Sequence, residues 1–292
     1  MRKGLILKGI FFILFSGNLL YAKTLKITTG FTVLQDILQN IVQDKAKVTN
    51  LVGYDQDPHG FELKPQDMAL VQSSDLVLIN GLGLESWAKV VEKDKLVVVN
   101  NGVKSISYEG KIDPHTWQDP EIVQNFYIPN ILKKLVKTDP DNADFYKDNA
   151  DKYMQQLKQL NKTTFKKLAF ISPEQRYIVT THDAFGYFGK RYGLHFLSLQ
   201  GVSTDSEPAA KDMAKLESYI KSSTTKIVFL ENMSNSNLMK QITKDTGAVI
   251  GGKLYADGLS KDEVANSYIK MIAANTDTII AAYQNSDNFK HK

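Results

Sequence analysis

Residues 139–170 read DPDNADFYKDNADKYMQQLKQLNKTTFKKLAF. Asp139 is a suitable N-cap residue, and Pro140 suits the first position of a helix. No Gly or Pro follows before Phe170. One helical face carries Phe145, Asn149, Tyr153, Gln156, Leu160 and Thr164. We therefore predict one long helix and assign residues 139–171 to it.

Short apolar runs that favour β-strands alternate with longer amphipathic stretches on both sides of this helix. The runs are residues 25–28, 48–52, 75–79 and 96–99 before it, and 177–181, 227–230 and 248–250 after it. Strands separated by helices form crossover units and a parallel sheet. We predict an α/β fold with two lobes, residues 23–138 and 172–292, each with a parallel-sheet βα core. One long rigid helix joins them, so we expect only modest lobe movement.

Residues 1–22 have the pattern of a secretory signal peptide. Arg2, Lys3 and Lys8 form a basic start, a short apolar run follows to Leu20, and Ala22 is a small residue at the expected cleavage point. The apolar run is shorter than the roughly 20 residues that a spanning helix needs. We therefore predict a cleaved signal peptide and a periplasmic location.

Composition excludes several classes of protein. The chain contains no cysteine, so it can form neither a disulfide nor a thioether bond to a lipid. The formal net charge is +4, and Arg2, Lys3 and Lys8 all lie in the segment expected to be removed. The remaining chain is almost neutral and lacks the basic surface that nucleic-acid binding requires.

Two loops repeat the tripeptide Asp-Pro-His. One copy ends at His59, just after the predicted strand at residues 48–52, and the other ends at His115. Proline fixes its own backbone and biases the preceding residue to extended geometry, so each His is held on a stiff loop with a carboxylate nearby. Such carboxylates orient an imidazole for metal binding. A single loop histidine is more often a surface or capping residue, and only the joint pattern indicates a site.

Two further candidates follow predicted strands of the second lobe. His182 immediately follows the run 177–181, and Asp257 comes shortly after the run 248–250. Ligands of open parallel sheets bind outside the carboxyl ends of the strands. His59, His115, His182 and Asp257 would then form a metal site with two ligands from each lobe. This mixed set suits Zn²⁺ in tetrahedral coordination and binds Mn²⁺ or Fe²⁺ more weakly.

The remaining histidines are not assigned to the site. His195 lies in a β-prone run and is interpreted as a packed sheet residue, and His291 belongs to the polar C-terminal tail.

Because coordination needs neutral imidazole, we expect metal binding to weaken near and below about pH 6.5.

At these residues the chain resembles the metal-binding solute receptors of zinc/manganese ABC transporters, the TroA-like or cluster A-I family. The matching segments occur in the family's order and are spread over essentially all of the chain after residue 22: residues 57–62, 113–120, 182–188, 202–208 and 255–257. The resemblance implies two lobes bridged by a rigid helix, with metal ligands at His59, His115, His182 and Asp257. It also implies a monomer that delivers Zn²⁺, or alternatively Mn²⁺ or Fe²⁺, to a membrane permease.

Two details bear on which metal the resemblance implies. Receptors that favour manganese typically have glutamate as the third ligand, whereas this chain has His182. Many dedicated zinc receptors carry a His-rich loop before the second ligand, and residues 101–112 contain no histidine. Glu207 and Glu62 are candidates for polar support around the site, although either also fits a solvated charge.

Two other functions are alternatives to a receptor. A zinc-dependent hydrolase would keep three protein ligands and an open position for water, but neither a His-Glu-x-x-His helix nor a Gly-x-Ser-x-Gly elbow occurs. An exported adhesin that acts without metal has no direct support in the sequence. We therefore predict a receptor and not an enzyme.

Overall fold

The computed structural model describes residues 24–108, 110–204, 208–223, 226–233 and 236–285. The predicted signal peptide, Glu207 and His291 lie outside the described residues.

A four-stranded parallel sheet forms the centre of the N-terminal lobe. Its strands are β1 (Leu25–Phe31), β2 (Ala46–Val52), β3 (Leu76–Ile79) and β4 (Leu96–Val98), in the order β2-β1-β3-β4. Ile27 of β1 pairs with Val48 of β2 and with Leu76 of β3. All four residues of β3 are buried, as expected for a parallel strand covered on both faces.

The C-terminal lobe repeats this topology. Its strands are β7 (Tyr177–His182), β8 (His195–Gln200), β9 (Ile227–Glu231) and β10 (Val249–Leu254), in the order β8-β7-β9-β10. In each sheet the first strand of the lobe lies between the second and the third. Because these strands are parallel, the carboxyl ends of β7 and β10 lie at the same edge of the sheet. His182 lies at this edge, and the loop bearing Asp257 begins there.

Helices connect the strands and cover the sheets. They are α1 (Thr32–Val42), α2 (Pro65–Ser73), α3 (Pro120–Ile122), α4 (Ile128–Thr138), α5 (Ala143–Leu168), α6 (Gly186–Tyr192), α7 (Ala210–Ser222), α8 (Ser236–Thr246) and α9 (Tyr268–Asn285). Apolar side chains of α1 recur at Val33, Leu34, Ile37, Leu38 and Ile41, and all five are buried. This spacing forms the stripe by which the helix packs on the first sheet.

The long helix α5 spans 26 residues and contacts both lobes. Asn149 donates a hydrogen bond to the carbonyl of Ile41 (3.1 Å) in the N-terminal lobe. Tyr192 of the C-terminal lobe donates to Asn161 (2.9 Å). The largest buried apolar cluster includes residues of both lobes together with α5. The predicted long helix is confirmed, and its packing on both sides makes it a stiff connection.

The start of this helix differs from the prediction. Residues Pro140–Asn142 form a short 3₁₀ turn, and α5 begins at Ala143. The Asp139 carboxylate accepts hydrogen bonds from the Tyr146 hydroxyl (2.5 Å) and the Asn142 amide (2.9 Å), and makes no side-chain bond to a backbone N–H of the turn.

The structure contains a hairpin that was not predicted and differs from the prediction for His195. A small antiparallel hairpin, β5 (Ser107–Tyr108) with β6 (Lys111–Ile112), precedes the His115 loop. His195 does begin a strand, but the prediction that it is packed is wrong, because β8 is an edge strand and the side chain is exposed. Its ring stacks on Tyr177, with centroids 4.9 Å apart.

No helix within the described part of the chain combines the length and the apolar character needed to cross a membrane.

Candidate metal centre

The four predicted site residues meet in the cleft between the lobes. One ligand atom from each of His59, His115, His182 and Asp257 lies within 4.8 Å of the others. The Nε2 atoms of His59 and His115 are 3.1 Å apart. The Asp257 carboxylate lies 3.2 Å from His115 Nε2 and 3.1 Å from His182 Nε2. Three imidazoles therefore face one carboxylate.

His59 lies on the loop after β2, which we call the His59 loop (residues 53–60). Its backbone N–H donates to Asp57 Oδ1 (2.8 Å), and Pro58 stands between them. This local turn holds the backbone that carries the imidazole. The side chain is 5% exposed, so His59 lies at the outer side of the cluster.

His115 is fixed by the Asp-Pro-His turn in the same way, with an additional contact to its ring. Asp113 Oδ1 accepts from the His115 backbone N–H (2.8 Å) and lies 2.8 Å from the ring Nδ1. With Nδ1 engaged by the carboxylate, the lone pair for a metal is at Nε2. His115 is completely buried, and its ring lies edge-on to Trp117 at 5.0 Å.

His182 is the last residue of β7 and is oriented by Glu231, the last residue of β9. Glu231 Oε1 accepts backbone N–H groups from Thr181 (2.8 Å) and His182 (2.9 Å). Its Oε2 forms a hydrogen bond with His182 Nδ1. One buried carboxylate thus fixes both the strand end and the imidazole, and directs Nε2 toward Asp257.

Asp257 belongs by sequence to the second lobe, but side chains from the first lobe hold its loop (residues 255–261) by hydrogen bonds. The Ala256 carbonyl accepts from Trp117 Nε1 (2.8 Å) and Gln118 Nε2 (2.6 Å). The Leu259 N–H donates to Thr32 Oγ1 (2.9 Å) at the start of α1. The Asp257 loop is therefore fastened to the lobe that carries His59 and His115.

The electrostatics of the cluster follow from burying these groups together. Burial opposes protonation of His115, but the carboxylates of Asp257 and Asp113 outweigh it and raise its pKa to about 9. Burial likewise opposes protonation of His182, yet Glu231 and Asp257 raise its pKa well above the ordinary value. Burial lowers the pKa of His59. Burial favours the neutral Asp257 carboxyl, but His182 and His115 hold its pKa well below its usual range.

Without metal, the site therefore holds a charged Asp257 opposite protonated His115 and His182. Two buried atoms facing the centre, His182 Nε2 and Asp257 Oδ1, make no well-aligned hydrogen bond to a described residue and are balanced only by ion pairs with Asp257 Oδ2 (3.1 Å) and His115 Nε2 (3.2 Å). An unsatisfied buried polar atom is costly. A divalent cation would replace the protons and satisfy these atoms, which is the chemistry that a His₃Asp donor set offers.

Glu62, a sequence candidate for polar support around the site, is exposed and is a solvated charge. Glu231 was not predicted, although one signal was available: it is a single carboxylate at the end of the apolar run Ile227–Leu230. Trp117 and Gln118 were also missed as residues that hold the Asp257 loop.

Comparisons with known proteins find relatives over most of the chain and solved structures with the same fold. The ZnuA family model, described as the periplasmic component A of the zinc-uptake complex, matches residues 27–282. Iron-binding protein YfeA of Yersinia pestis is 35% identical over 272 residues, which cover 90% of this chain and 87% of that protein. Manganese-binding lipoprotein MntA of Halalkalibacterium halodurans is 32% identical over 264 residues, which cover 88% of each chain. The solved structure of periplasmic zinc-binding protein TroA from Treponema pallidum superposes with a TM-score of 0.84 at 30% identity, covering 89% of this chain and 99% of that one.

Proposed function

Because the chain belongs to the ZnuA family of periplasmic zinc-uptake components, we propose that it is an extracytoplasmic receptor for one divalent transition-metal ion. The proposed ligands are His59, His115, His182 and Asp257. The loaded receptor delivers the ion to an ABC importer made of a membrane permease and its ATPase. The observation that carries the proposal is the convergence of four buried or nearly buried ligand atoms, all within 4.8 Å of one another.

Zinc is the proposed cargo of highest affinity. Three imidazole nitrogens and one carboxylate oxygen supply the small, mixed donor set that tetrahedral Zn²⁺ prefers. The same ligands bind Fe²⁺ and Mn²⁺ less tightly in the usual order of divalent ions. The names of the relatives, which cover iron, manganese and zinc, are compatible with a family in which the ion varies.

The site supports capture of an ion rather than catalysis on it. A catalytic zinc keeps an open position for water or substrate. Here four protein side chains converge, which is enough ligands to fill a tetrahedral site, and His115, His182 and Asp257 are each at most 2% exposed. Transport without turnover is therefore the proposed role, ahead of zinc-dependent hydrolysis or metal-independent adhesion.

The proposed location and organisation follow from the sequence and the family. We propose that residues 1–22 are removed on export and that the mature chain is a periplasmic monomer. None of the 292 residues is cysteine, so the lipid thioether of a lipoprotein such as MntA has no attachment residue here. The proposed divisions are residues 23–138, 139–171 and 172–292.

Metal titration tests this function. Protein stripped with a chelator is titrated with Zn²⁺, Fe²⁺ and Mn²⁺ against a competing indicator, and bound metal is measured by elemental analysis. We expect one Zn²⁺ per chain and loss of most of that affinity in His115→Ala. His195→Ala, which removes an exposed imidazole outside the cluster, serves as the matched control. A chain that binds no transition metal, or that binds it equally in His115→Ala, would overturn the proposal.

A further inference from the structure

Asp55 connects the His59 loop to the Asp257 loop across the cleft. Its backbone N–H donates to the Leu259 carbonyl (3.0 Å). Its carboxylate Oδ2 accepts from Ser260 Oγ (3.1 Å) and from the Lys261 backbone N–H (3.3 Å). The connection therefore lies four residues before His59 on one side and two to four residues after Asp257 on the other.

The same carboxylate also reaches the segment that orients His182. Asp55 Oδ1 accepts from the amide of Asn232 (3.3 Å), which directly follows Glu231. Asn232 in turn bonds the end of β10 and the Asp257 loop: its N–H donates to the Leu254 carbonyl (3.0 Å), and its Oδ1 accepts from Ala256 N–H (3.4 Å). Three chain segments that bear or orient proposed ligands thus meet at Asp55.

The backbone at Asp55 is suited to this position. Its φ is +56°, in the left-handed region that aspartate and asparagine tolerate better than most residues. That conformation turns the loop so that the side chain faces the second lobe while His59 remains in the cluster. Asp55 is itself exposed, whereas Ser260 is 2% exposed. The contact therefore joins an exposed residue of the His59 loop to a buried residue of the Asp257 loop.

We propose that Asp55 is a positioning residue that fixes Asp257 relative to His59 and so slows the release of bound metal. The inference rests on the proposed function and adds a residue that touches none of the ligand atoms. The Asp257 loop must leave the His59 loop before the ion can escape toward solvent, and the Asp55 hydrogen bonds oppose that separation. The dissociation rate should therefore depend on Asp55 more than the association rate does.

The test compares Asp55→Gly with Asp55→Asn in the full chain. Glycine adopts the positive φ without strain, so Asp55→Gly removes the carboxylate without forcing the backbone. Asparagine keeps an acceptor and tolerates the same backbone. Asp262→Ala is the matched control, because it removes a nearby exposed carboxylate that pairs only with Lys253 among the described residues. Zn²⁺ is the probe, and its release is followed with a chelator in excess.

We expect Asp55→Gly to release Zn²⁺ on the order of ten times faster than the unmodified chain, as is typical when support for a metal ligand is lost. Asp55→Asn should stay within about threefold, association should change little, and Asp262→Ala should match the unmodified chain. If Asp55→Gly does not fold, Ser260→Ala tests the same contact with the same direction of change. In a folded double variant, the effects of Asp55→Gly and Ser260→Ala should not add, because they remove one shared bond.

Equal Zn²⁺ release from Asp55→Gly, Asp55→Asn and the unmodified chain would overturn the inference while leaving the proposed function intact. Equal loss in Asp55→Gly and Asp262→Ala would also overturn it, because the effect would then be one of charge alone. An unmodified chain that binds no Zn²⁺ would instead defeat the proposed function. Hydrogen exchange at the Lys261 amide in metal-free protein gives an independent readout, with faster exchange expected in Asp55→Gly.

Discussion

The imidazole of His182 and the carboxylate of Glu231 form a buried hydrogen-bonded pair in which each side chain is 1% exposed. The contact engages Nδ1 and leaves Nε2 3.1 Å from Asp257. Glu231 therefore sets both the direction and the protonated nitrogen of the ring. This relationship makes the affinity of the site depend on a residue that does not touch the ion.

Replacing Glu231 by glutamine should weaken Zn²⁺ binding by about tenfold or more, the usual range for loss of such support. The amide oxygen can still accept the backbone N–H groups, but the amide NH₂ then faces Nδ1 and places the ring proton on Nε2. Competition titration measures the change. Glu92→Gln, at a carboxylate that is 71% exposed, is the control. Unchanged affinity in folded Glu231→Gln would show that the pair does not prepare the ligand.

The stability of the metal-free protein should fall as the pH rises from about 6.5 to 9. In the folded chain the pKa of His115 is raised from 6.5 to about 9. A raised pKa contributes stability that is complete below the unfolded value and is lost as the pH passes the folded value. Urea denaturation of stripped protein across this range tests the sign. A metal-free chain that becomes more stable toward pH 9 would contradict these protonation states.

Zn²⁺ affinity should show the opposite trend and rise with pH up to about 9. The ion displaces the protons held by His115 and His182, whose pKa values are raised by neighbouring carboxylates. The expected weakening therefore begins well above the unperturbed histidine value of about 6.5. Affinity measured against pH, together with protons released on binding at pH 7.5, provides the check. Binding at that pH without proton release would contradict this account.

Replacing His182 by glutamate should shift preference toward Mn²⁺. A second carboxylate is a harder ligand than imidazole, and Mn²⁺ favours oxygen donors. Zn²⁺ affinity should fall, so the ratio of Zn²⁺ to Mn²⁺ affinity should decrease by about tenfold or more, a size set by the loss of one matched ligand. His195→Glu adds the same group at an exposed position outside the cluster. Equal ratios in both variants would argue against His182 as a ligand.

Much of this site could be predicted because its ligands carry local sequence signals. His59 and His115 share an Asp-Pro-His turn, and His182 ends an apolar strand. Each signal depends only on neighbouring residues and on the rule that parallel strands present ligands at their carboxyl ends. The long helix could be predicted for a similar reason, because one uninterrupted segment of the sequence contains the whole helix and its buried face.

The supporting contacts could not be predicted because they join distant segments. Glu231 lies 49 positions from His182, and Asp55 lies 205 positions from Ser260, and no spacing connects either pair. The Asp55–Ser260 contact further depends on a left-handed backbone conformation at Asp55 that the sequence does not specify. The exposure of His195 depends on strand order, which places β8 at the edge of the sheet.

A crystal structure of the zinc-loaded chain, with anomalous data collected at the zinc edge, would locate the bound ion. We expect one strong peak between the lobes, bound by the Nε2 atoms of His59, His115 and His182 and by the carboxylate of Asp257, at about 2.0–2.2 Å. A peak elsewhere on the chain, or one that fewer than three of these side chains touch, would contradict the proposed ligand set.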